Sequence, residues 1–164
     1  MKILKTLLNN QSTIISNSVI IFFAIVSLIG LADTFFVTIN HYKGVIPPCT
    51  LLNGCETVLT SKYSEIFGVP IALFGALFYG IVFLSALAYL KTKNNKIIIV
   101  FLILTALAFL MSLFFIYLQF FVIKAVCEYC LTSAAASTIL FATSVFMARR
   151  VAESDSNIQC CKGH

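Results

Sequence analysis

The sequence predicts an all-α integral membrane protein, a bundle of four transmembrane helices. Of the 164 residues, 60% are hydrophobic and only 10% are charged, and four apolar stretches are each long enough to cross a bilayer. A soluble domain of this length needs more charge on its surface, whereas a helix needs about 20 apolar residues to span the hydrocarbon. Backbone groups in lipid must find hydrogen-bond partners within their own segment, so the four stretches are predicted as helices.

The four stretches carry few polar residues. The first contains Asp33 and some hydroxyl groups, the second and third have no charge, and the fourth has Glu128 near its start. A cleaved signal peptide describes the first stretch poorly, because its apolar region begins late and exceeds the usual length of about 7–15 residues. The predicted helices span residues 19–39, 69–90, 97–123 and 126–148.

Basic residues near the helix ends predict the orientation. Lysines and arginines are concentrated on one side of the predicted topology, which we therefore expect to be cytoplasmic. They are Lys2, Lys5, Lys91, Lys93, Lys96, Arg149 and Arg150. Both termini are then cytoplasmic, and the loop of residues 40–68 lies outside. This bias accounts for the net charge of +5 without any nucleic acid as partner.

Four of the six cysteines fall on the predicted outer side. Cys127 and Cys130 form a CxxC in the first turn of the fourth helix, and Cys49 and Cys55 lie in the outer loop. Residues three apart are neighbours on one helix face, and the free N–H groups of a first helical turn favour a thiolate. In an oxidising compartment, the loop pair is expected to be a disulfide part of the time.

Other chemistries remain possible for these cysteines. The loop disulfide fits a static clip in a non-enzymatic four-helix membrane adaptor. A zinc site is disfavoured because the spacing of Cys49 and Cys55 does not match a zinc knuckle, so no metal is predicted. Cys160 and Cys161 lie in a short cytoplasmic tail, residues 149–164, and are expected to be free thiols, acylation sites or dispensable.

Two further motifs accompany the cysteines: Ser61 follows the loop pair, and Phe67-Gly68-Val69-Pro70 leads into the second helix. Together with the CxxC at the start of the last helix, they resemble the vitamin K epoxide reductase family over nearly the whole of residues 1–148. The resemblance implies a thiol oxidoreductase similar in role to DsbB, which supports disulfide bond formation. No fused thioredoxin domain is expected after residue 148.

The resemblance also implies a relay with four catalytic cysteines. A separate DsbA-like or other thioredoxin-fold partner would reduce the Cys49–Cys55 disulfide, and Cys55 would attack Cys127. Cys130 would then reduce a quinone, ubiquinone or menaquinone, held near Ser61. The expected location is the bacterial cytoplasmic membrane, with the cysteines facing the periplasm or cell exterior.

The remaining polar residues have less specific interpretations. Asp33 is either solvated at the outer interface or assists proton uptake by the reduced quinone. His41, Gln119 and Lys124 are predicted as outer loop or interface residues. Residues 131–134 are expected to face the quinone pocket. The vertebrate enzymes carry a tyrosine where Ala134 falls, so a plain quinone is favoured over vitamin K epoxide.

Overall fold

Four long helices form the protein in the computed structural model, which describes residues 15–49, 54–94 and 96–161, without the side chains of residues 96 and 154–161. The long helices are α1 (Asn17–Tyr42), α3 (Ile71–Thr92), α4 (Lys96–Tyr117) and α5 (Glu128–Cys161), and a short helix, α2 (Cys55–Leu59), follows the first. The long helices are sufficiently apolar and extended to cross a membrane. The predicted fold class, an all-α protein with four transmembrane helices, is confirmed.

The helices pack around α1 and α5. Helix α1 lies against α3 and α5, and α4 lies against α5. The packing of α1 and α3 is close, because a Cβ added at Gly30 would be 2.5 Å from the Tyr79 ring. Small residues allow this approach in membranes, where burial from water does not drive helix association. Fully buried side chains in the centre include Ile20, Phe23, Tyr79, Val82, Tyr89, Phe101 and Leu140.

Hydroxyl groups join two of the helices to α5. The Tyr79 hydroxyl of α3 donates to the Ser133 carbonyl oxygen at 2.7 Å. The hydroxyl oxygens of Thr105 on α4 and Ser144 on α5 are 2.8 Å apart. Hydrogen bonds of this kind contribute about 0.6 kcal/mol each in a membrane bundle. Helices α3 and α4 make little contact with each other, because α3 packs mainly against α1 and α4 mainly against α5.

A small hairpin leads into α3. Strand β1 (Glu65–Ile66) pairs with the antiparallel strand β2 (Val69–Pro70). The turn residues Phe67 and Gly68 have φ values of 53° and 77°, and positive φ at both positions is typical of a type I′ turn. The predicted helix start at Val69 is therefore wrong. Pro70 is extended, with φ −65° and ψ 135°, and α3 begins at the next residue.

The boundaries of α1 and α5 also differ from the prediction. Helix α1 continues to Tyr42, and Gly44, with φ 67°, follows its end. Helix α5 begins at Glu128 and continues to Cys161, beyond the predicted end at residue 148. Hydropathy marks where apolar side chains stop, whereas a helix continues until residues disfavour it. No glycine or proline occurs between Arg149 and Cys161.

The third predicted span, residues 97–123, changes its helical type near its C-terminal end. The α-helix stops at Tyr117, and a π-helical turn, Leu118–Ile123, follows. Lys124 then adopts the left-handed conformation with φ 54°. Residues 124–127 connect this turn to α5 without regular structure. Turns of π type are rare and often lie at functional sites, and this one borders the CxxC.

Candidate functional site

The two cysteine pairs meet at one end of the helix bundle. Cys49 and Cys55 are joined by a disulfide, with Cα atoms 6.0 Å apart. Cys127 and Cys130 are thiols. Cys55 and Cys127 are both fully buried and belong to one packed cluster with Val58, against which Cys49 and Cys130 also pack.

Gly54 allows the loop to reach the CxxC. A Cβ at this position would lie 2.5 Å from the carbonyl oxygen of Val126 and 2.6 Å from its nitrogen. The Gly54 backbone has φ −102°, which any residue adopts. The requirement for glycine therefore comes from the close contact with the Val126 backbone. Because Cys55 and Cys127 are the next residues on the two segments, this contact brings the pairs together.

Tyr129 holds the other side of the loop. It lies between the two cysteines of the CxxC, and its hydroxyl donates to the carbonyl oxygen of Pro48 at 2.9 Å. Its ring also packs against Phe36 of α1, with the ring centroids 5.9 Å apart. The loop disulfide is therefore held at two points. Pro48, just before Cys49, is bound by Tyr129 of α5, and Gly54, just before Cys55, packs against the backbone of Val126.

A buried glutamine, Gln119, holds the backbone at Cys127. Its side-chain Oε1 accepts the Cys127 N–H at 2.9 Å, and its carbonyl oxygen accepts the N–H groups of Lys124 and Ala125. Its side chain is only 3% exposed, so the prediction of a loop or interface residue is wrong. The sequence did contain a sign of this role. Gln119 is the one polar residue in the apolar run Leu118–Ile123, and an amide that is buried in such a run needs hydrogen-bond partners.

Cys127 was predicted to lie in the first turn of the fourth helix. In the structure it precedes that turn, because α5 begins at Glu128. Its carbonyl oxygen accepts the N–H of Leu131 at 3.1 Å, which is the position of a helix N-cap residue. The Cys130 thiol donates a hydrogen bond to the Cys127 sulfur and lowers the pKa of Cys127 to about 7. The backbone N–H groups of Cys130 and Tyr129 act in the same direction, while burial and the carboxylate of Asp33 oppose them.

A cavity of about 930 Å³ adjoins the CxxC. Cys130 lines it, but Cys127 does not. Most of the wall is apolar, and the lipid-facing residues Phe74 of α3 and Leu107 of α4 contribute to it. Because Phe74 and Leu107 line the cavity and are each more than half exposed, the cavity is open between α3 and α4, on the apolar surface of the bundle. The two sulfurs of the CxxC therefore have different surroundings, the loop pair on one side and a membrane-accessible cavity on the other.

Comparison with known proteins identifies the family of this chain. The sequence profile of the vitamin K epoxide reductase family matches residues 21–145. The chain belongs to this family. Over 123 residues it is 35% identical to the thiol-disulfide oxidoreductase LTO1 of Arabidopsis thaliana, and the alignment covers 70% of this chain and 33% of the plant protein. The chain thus spans about a third of that relative's length. The resemblance inferred from the order of the cysteine motifs is confirmed.

In this member of the vitamin K epoxide reductase family, only some residues predicted for the pocket line the cavity. Ser61, Ser133 and Ala134 do, whereas Leu131 and Thr132 do not. Helix periodicity explains the division, since residues three and four positions after Cys130 share its face. The Ser61 hydroxyl donates to the Val58 carbonyl oxygen at 2.7 Å. It must release this bond before it can donate to a ligand.

Ionisable residues also line the cavity. Asp33 is half-buried in α1 and shares the cavity with Cys130. His41 and Glu65 lie nearer the end of α1 and form an ion pair when the imidazole is protonated, with Nε2 and Oε1 3.3 Å apart. His41, predicted as an outer loop or interface residue, thus connects α1 to the hairpin. Lys124 is exposed in the turn between α4 and α5.

The thiolate of Cys127 is expected to titrate with a midpoint near 7. A lowered pKa means that the thiolate forms as pH rises through this value. Cys130→Ser retains a hydroxyl donor and should keep the midpoint low, whereas Cys130→Ala should shift it towards the ordinary thiol value of about 8.5. Thiolate absorbance in detergent measures this, in a background with Cys160→Ser and Cys161→Ser. Equal midpoints in the two Cys130 variants would contradict the assigned hydrogen bond.

Proposed function

We propose that this protein is a quinone-dependent thiol oxidoreductase that oxidises a separate thioredoxin-fold partner of the DsbA type and so supports disulfide bond formation. The proposal depends on the different surroundings of the two CxxC cysteines. Cys127 packs in one cluster with Cys55, whereas Cys130 lines the cavity. A dithiol placed in this way can receive electrons on one side and deliver them on the other. Family membership and the similarity to a plant thiol-disulfide oxidoreductase support thiol–disulfide chemistry.

The relay starts at the loop pair. Cys49 is half-buried and Cys55 is 2% exposed, so Cys49 is the sulfur that a partner can reach. A partner thiolate attacks Cys49, breaks its bond to Cys55 and forms a mixed disulfide. The second partner thiol then attacks the partner sulfur of that bond. The partner leaves as a disulfide, and Cys49 and Cys55 hold the two electrons and two protons that it has lost.

The second exchange moves these electrons to the CxxC. The Cys55 thiolate attacks Cys127 in the CxxC disulfide and releases Cys130, after which Cys49 attacks Cys55 and releases Cys127. The loop disulfide is restored and the CxxC is now a dithiol. This is the redox state of the structure, with Cys49 bonded to Cys55 and free thiols at Cys127 and Cys130.

The cavity fits a quinone as the final acceptor. Its volume, about 930 Å³, lies within the range of about 300–1,000 Å³ for small-molecule sites. Its mostly apolar wall and its opening towards the membrane suit a lipid-soluble ring, as in ubiquinone or menaquinone. A bound quinone would take up two electrons and two protons while Cys127 and Cys130 return to the disulfide. Cys130 is the sulfur at the cavity, Ser61 can offer a hydroxyl there, and Asp33 can exchange protons.

The charge distribution supports an orientation with the cysteines outside. Lys91 and Lys93 lie at the end of α3 that is remote from the CxxC and the loop pair, and Arg149 and Arg150 lie more than five helical turns along α5 from the CxxC. Lys93 also donates a hydrogen bond to Asn17 at the start of α1. An excess of basic residues marks the cytoplasmic side. We therefore propose a location in the bacterial cytoplasmic membrane, with both cysteine pairs facing the periplasm or exterior.

Quinone reduction by the purified protein tests the proposal. In detergent, with a reduced DsbA-like protein as donor, wild type is expected to reduce ubiquinone or menaquinone, and a protein with Cys127→Ala and Cys130→Ala is expected to be inactive. The control carries Cys160→Ala and Cys161→Ala and should retain activity. If folded wild type turned over neither quinone, the result would favour a non-enzymatic adaptor with static disulfides.

A further inference from the structure

Tyr129 connects the CxxC to the loop pair by a hydrogen bond. It is the third residue of the CxxC and lies in the first turn of α5, and its hydroxyl donates to the carbonyl oxygen of Pro48 at 2.9 Å. That carbonyl group is bonded directly to the backbone nitrogen of Cys49. The Tyr129 ring packs against Phe36 of α1, with the ring centroids 5.9 Å apart, which restricts the orientation of the ring. Tyr129 therefore holds the backbone beside one cysteine of the loop pair.

The two loop cysteines are held in different ways. Cys55 begins α2, is 2% exposed and follows Gly54, whose close contact with Val126 places it beside the CxxC. Cys49 is half-buried and lies in a segment without regular structure, where its covalent bond to Cys55 restricts it. Reduction of the disulfide removes that bond, whereas the hydrogen bond from Tyr129 involves neither sulfur. This hydrogen bond can therefore still hold Cys49 once the loop pair is a dithiol.

We propose that Tyr129 is a positioning residue that keeps Cys49 beside Cys55 after the loop pair has been reduced, so that Cys49 completes electron transfer to the CxxC. This inference rests on the proposed function and adds a residue to its second exchange. Once Cys55 has attacked Cys127 and released Cys130, a disulfide joins the loop to the CxxC. The Cys49 thiolate then attacks the Cys55 sulfur, a bond forms between them, and the bond from Cys55 to Cys127 breaks. Cys127 and Cys130 leave as thiolates and take up, through the solvent, the two protons that the loop thiols have lost.

A competing reaction makes the position of Cys49 important. In the intermediate that joins Cys55 to Cys127, Cys130 is only three residues from Cys127 and can attack its sulfur, which returns the electrons to the loop. Net transfer to the CxxC requires that Cys49 attack Cys55 first. A thiol that is held near its target reacts faster than one that must return to it, because less conformational freedom is lost on reaching the reactive geometry. The hydrogen bond from Tyr129 therefore favours transfer towards the CxxC.

Rapid mixing with one equivalent of a water-soluble phosphine tests the role of Tyr129 without a partner protein or quinone. The protein, with Cys160→Ser and Cys161→Ser, starts with both cysteine pairs oxidised, and the phosphine reduces the loop disulfide. A charged phosphine is used so that it does not enter the mostly apolar cavity. Acid quenching, alkylation and mass spectrometry then count the peptides linked through Cys55 and Cys127 and the reduced CxxC. In Tyr129→Phe the linked intermediate should persist about fivefold longer and the CxxC dithiol should appear correspondingly more slowly, the scale of one neutral hydrogen bond.

The stage that slows distinguishes the role of Tyr129 from a general loosening of the loop. Tyr129→Phe retains the ring that packs on Phe36, so the intermediate should form at the wild-type rate and only its resolution should slow. Gly54→Ala, by contrast, should delay formation of the intermediate, because the added Cβ displaces the loop. Tyr117→Phe is the matched control and should behave as wild type. It also removes a hydroxyl from a tyrosine whose ring packs against a phenylalanine, Phe121, with the ring centroids 5.0 Å apart.

The possible outcomes separate this inference from the proposed function. Equal rates of CxxC reduction in Tyr129→Phe and Tyr117→Phe would overturn the role of Tyr129 and leave the electron route intact. Slower formation of the intermediate with unchanged decay in Tyr129→Phe would also overturn it, because the residue would then act on Cys55 instead of Cys49. If electrons reached the CxxC but wild type reduced no quinone, only the proposed acceptor would fail. If they never reached the CxxC of wild type, the proposed function would fail, and this inference with it.

Discussion

The Cys130→Ser protein is expected to oxidise one equivalent of a reduced thioredoxin-fold partner and then stop. Its Cys49–Cys55 disulfide remains available to the partner, because neither cysteine depends on Cys130 for its bond. The variant has no CxxC disulfide to accept the electrons, and it lacks the sulfur that lines the cavity. Steady-state quinone reduction should therefore fall by a factor of about a thousand or more, as when a nucleophile is removed from an enzyme.

Two measurements distinguish oxidation of the partner from reduction of quinone. Counting partner thiols after mixing without quinone gives the stoichiometric phase, and quinone absorbance gives the turnover. A protein with Cys160→Ser and Cys161→Ser serves as control and should continue to turn over. Sustained quinone reduction by Cys130→Ser would contradict the assignment of Cys130 as the sulfur that delivers electrons.

Gly54→Ala is expected to slow electron transfer from the loop pair to the CxxC by about a hundredfold, the scale of an atomic displacement near 1 Å. The added Cβ would lie 2.5 Å from the Val126 carbonyl oxygen, so the loop must move away from residues 126 and 127. The partner still reaches Cys49, which lies on the other side of the disulfide. The first oxidation of partner should therefore remain fast while reduction of the CxxC becomes slow.

Rapid mixing with reduced partner, followed by acid quenching and thiol labelling, resolves these two steps in the Gly54 variant. Gly80→Ala provides the matched control, because a Cβ at Gly80 meets nothing within 4 Å. This control should transfer electrons at the wild-type rate. Equal rates of CxxC reduction in Gly54→Ala and Gly80→Ala would show that the close backbone contact is unimportant for the relay.

Much of the fold could be predicted because it depends on local properties of the chain. The length and apolarity of four stretches predict four helices in any bundle arrangement, and the structure contains them. The order of the cysteine motifs identified the family before any geometry was known, and the family profile confirms it. The orientation in the membrane and the catalytic roles of the four cysteines stay predictions.

The errors of prediction arise where hydropathy does not report conformation. Val69 and Pro70 are apolar, but they form a strand because Pro70 is extended. Residues after Arg149 are polar, but nothing among them ends the helix before Cys161. Gln119 was placed at an interface because it is polar and near a span end. A π-helical turn instead directs it inward, and hydropathy does not distinguish that turn from an α-helix.

The sequence by itself determined the number of spans, the family and the identity of the cysteine pairs, because each is encoded in residue type and spacing along the chain. Only the tertiary structure decided that Cys127 packs with Cys55 while Cys130 lines the cavity. It also decided that Gln119 binds the backbone of Cys127. These relations depend on contacts between α5, the π-helical turn and the loop that carries Cys49 and Cys55. Residues far apart in sequence meet there through side-chain packing, which no local pattern specifies.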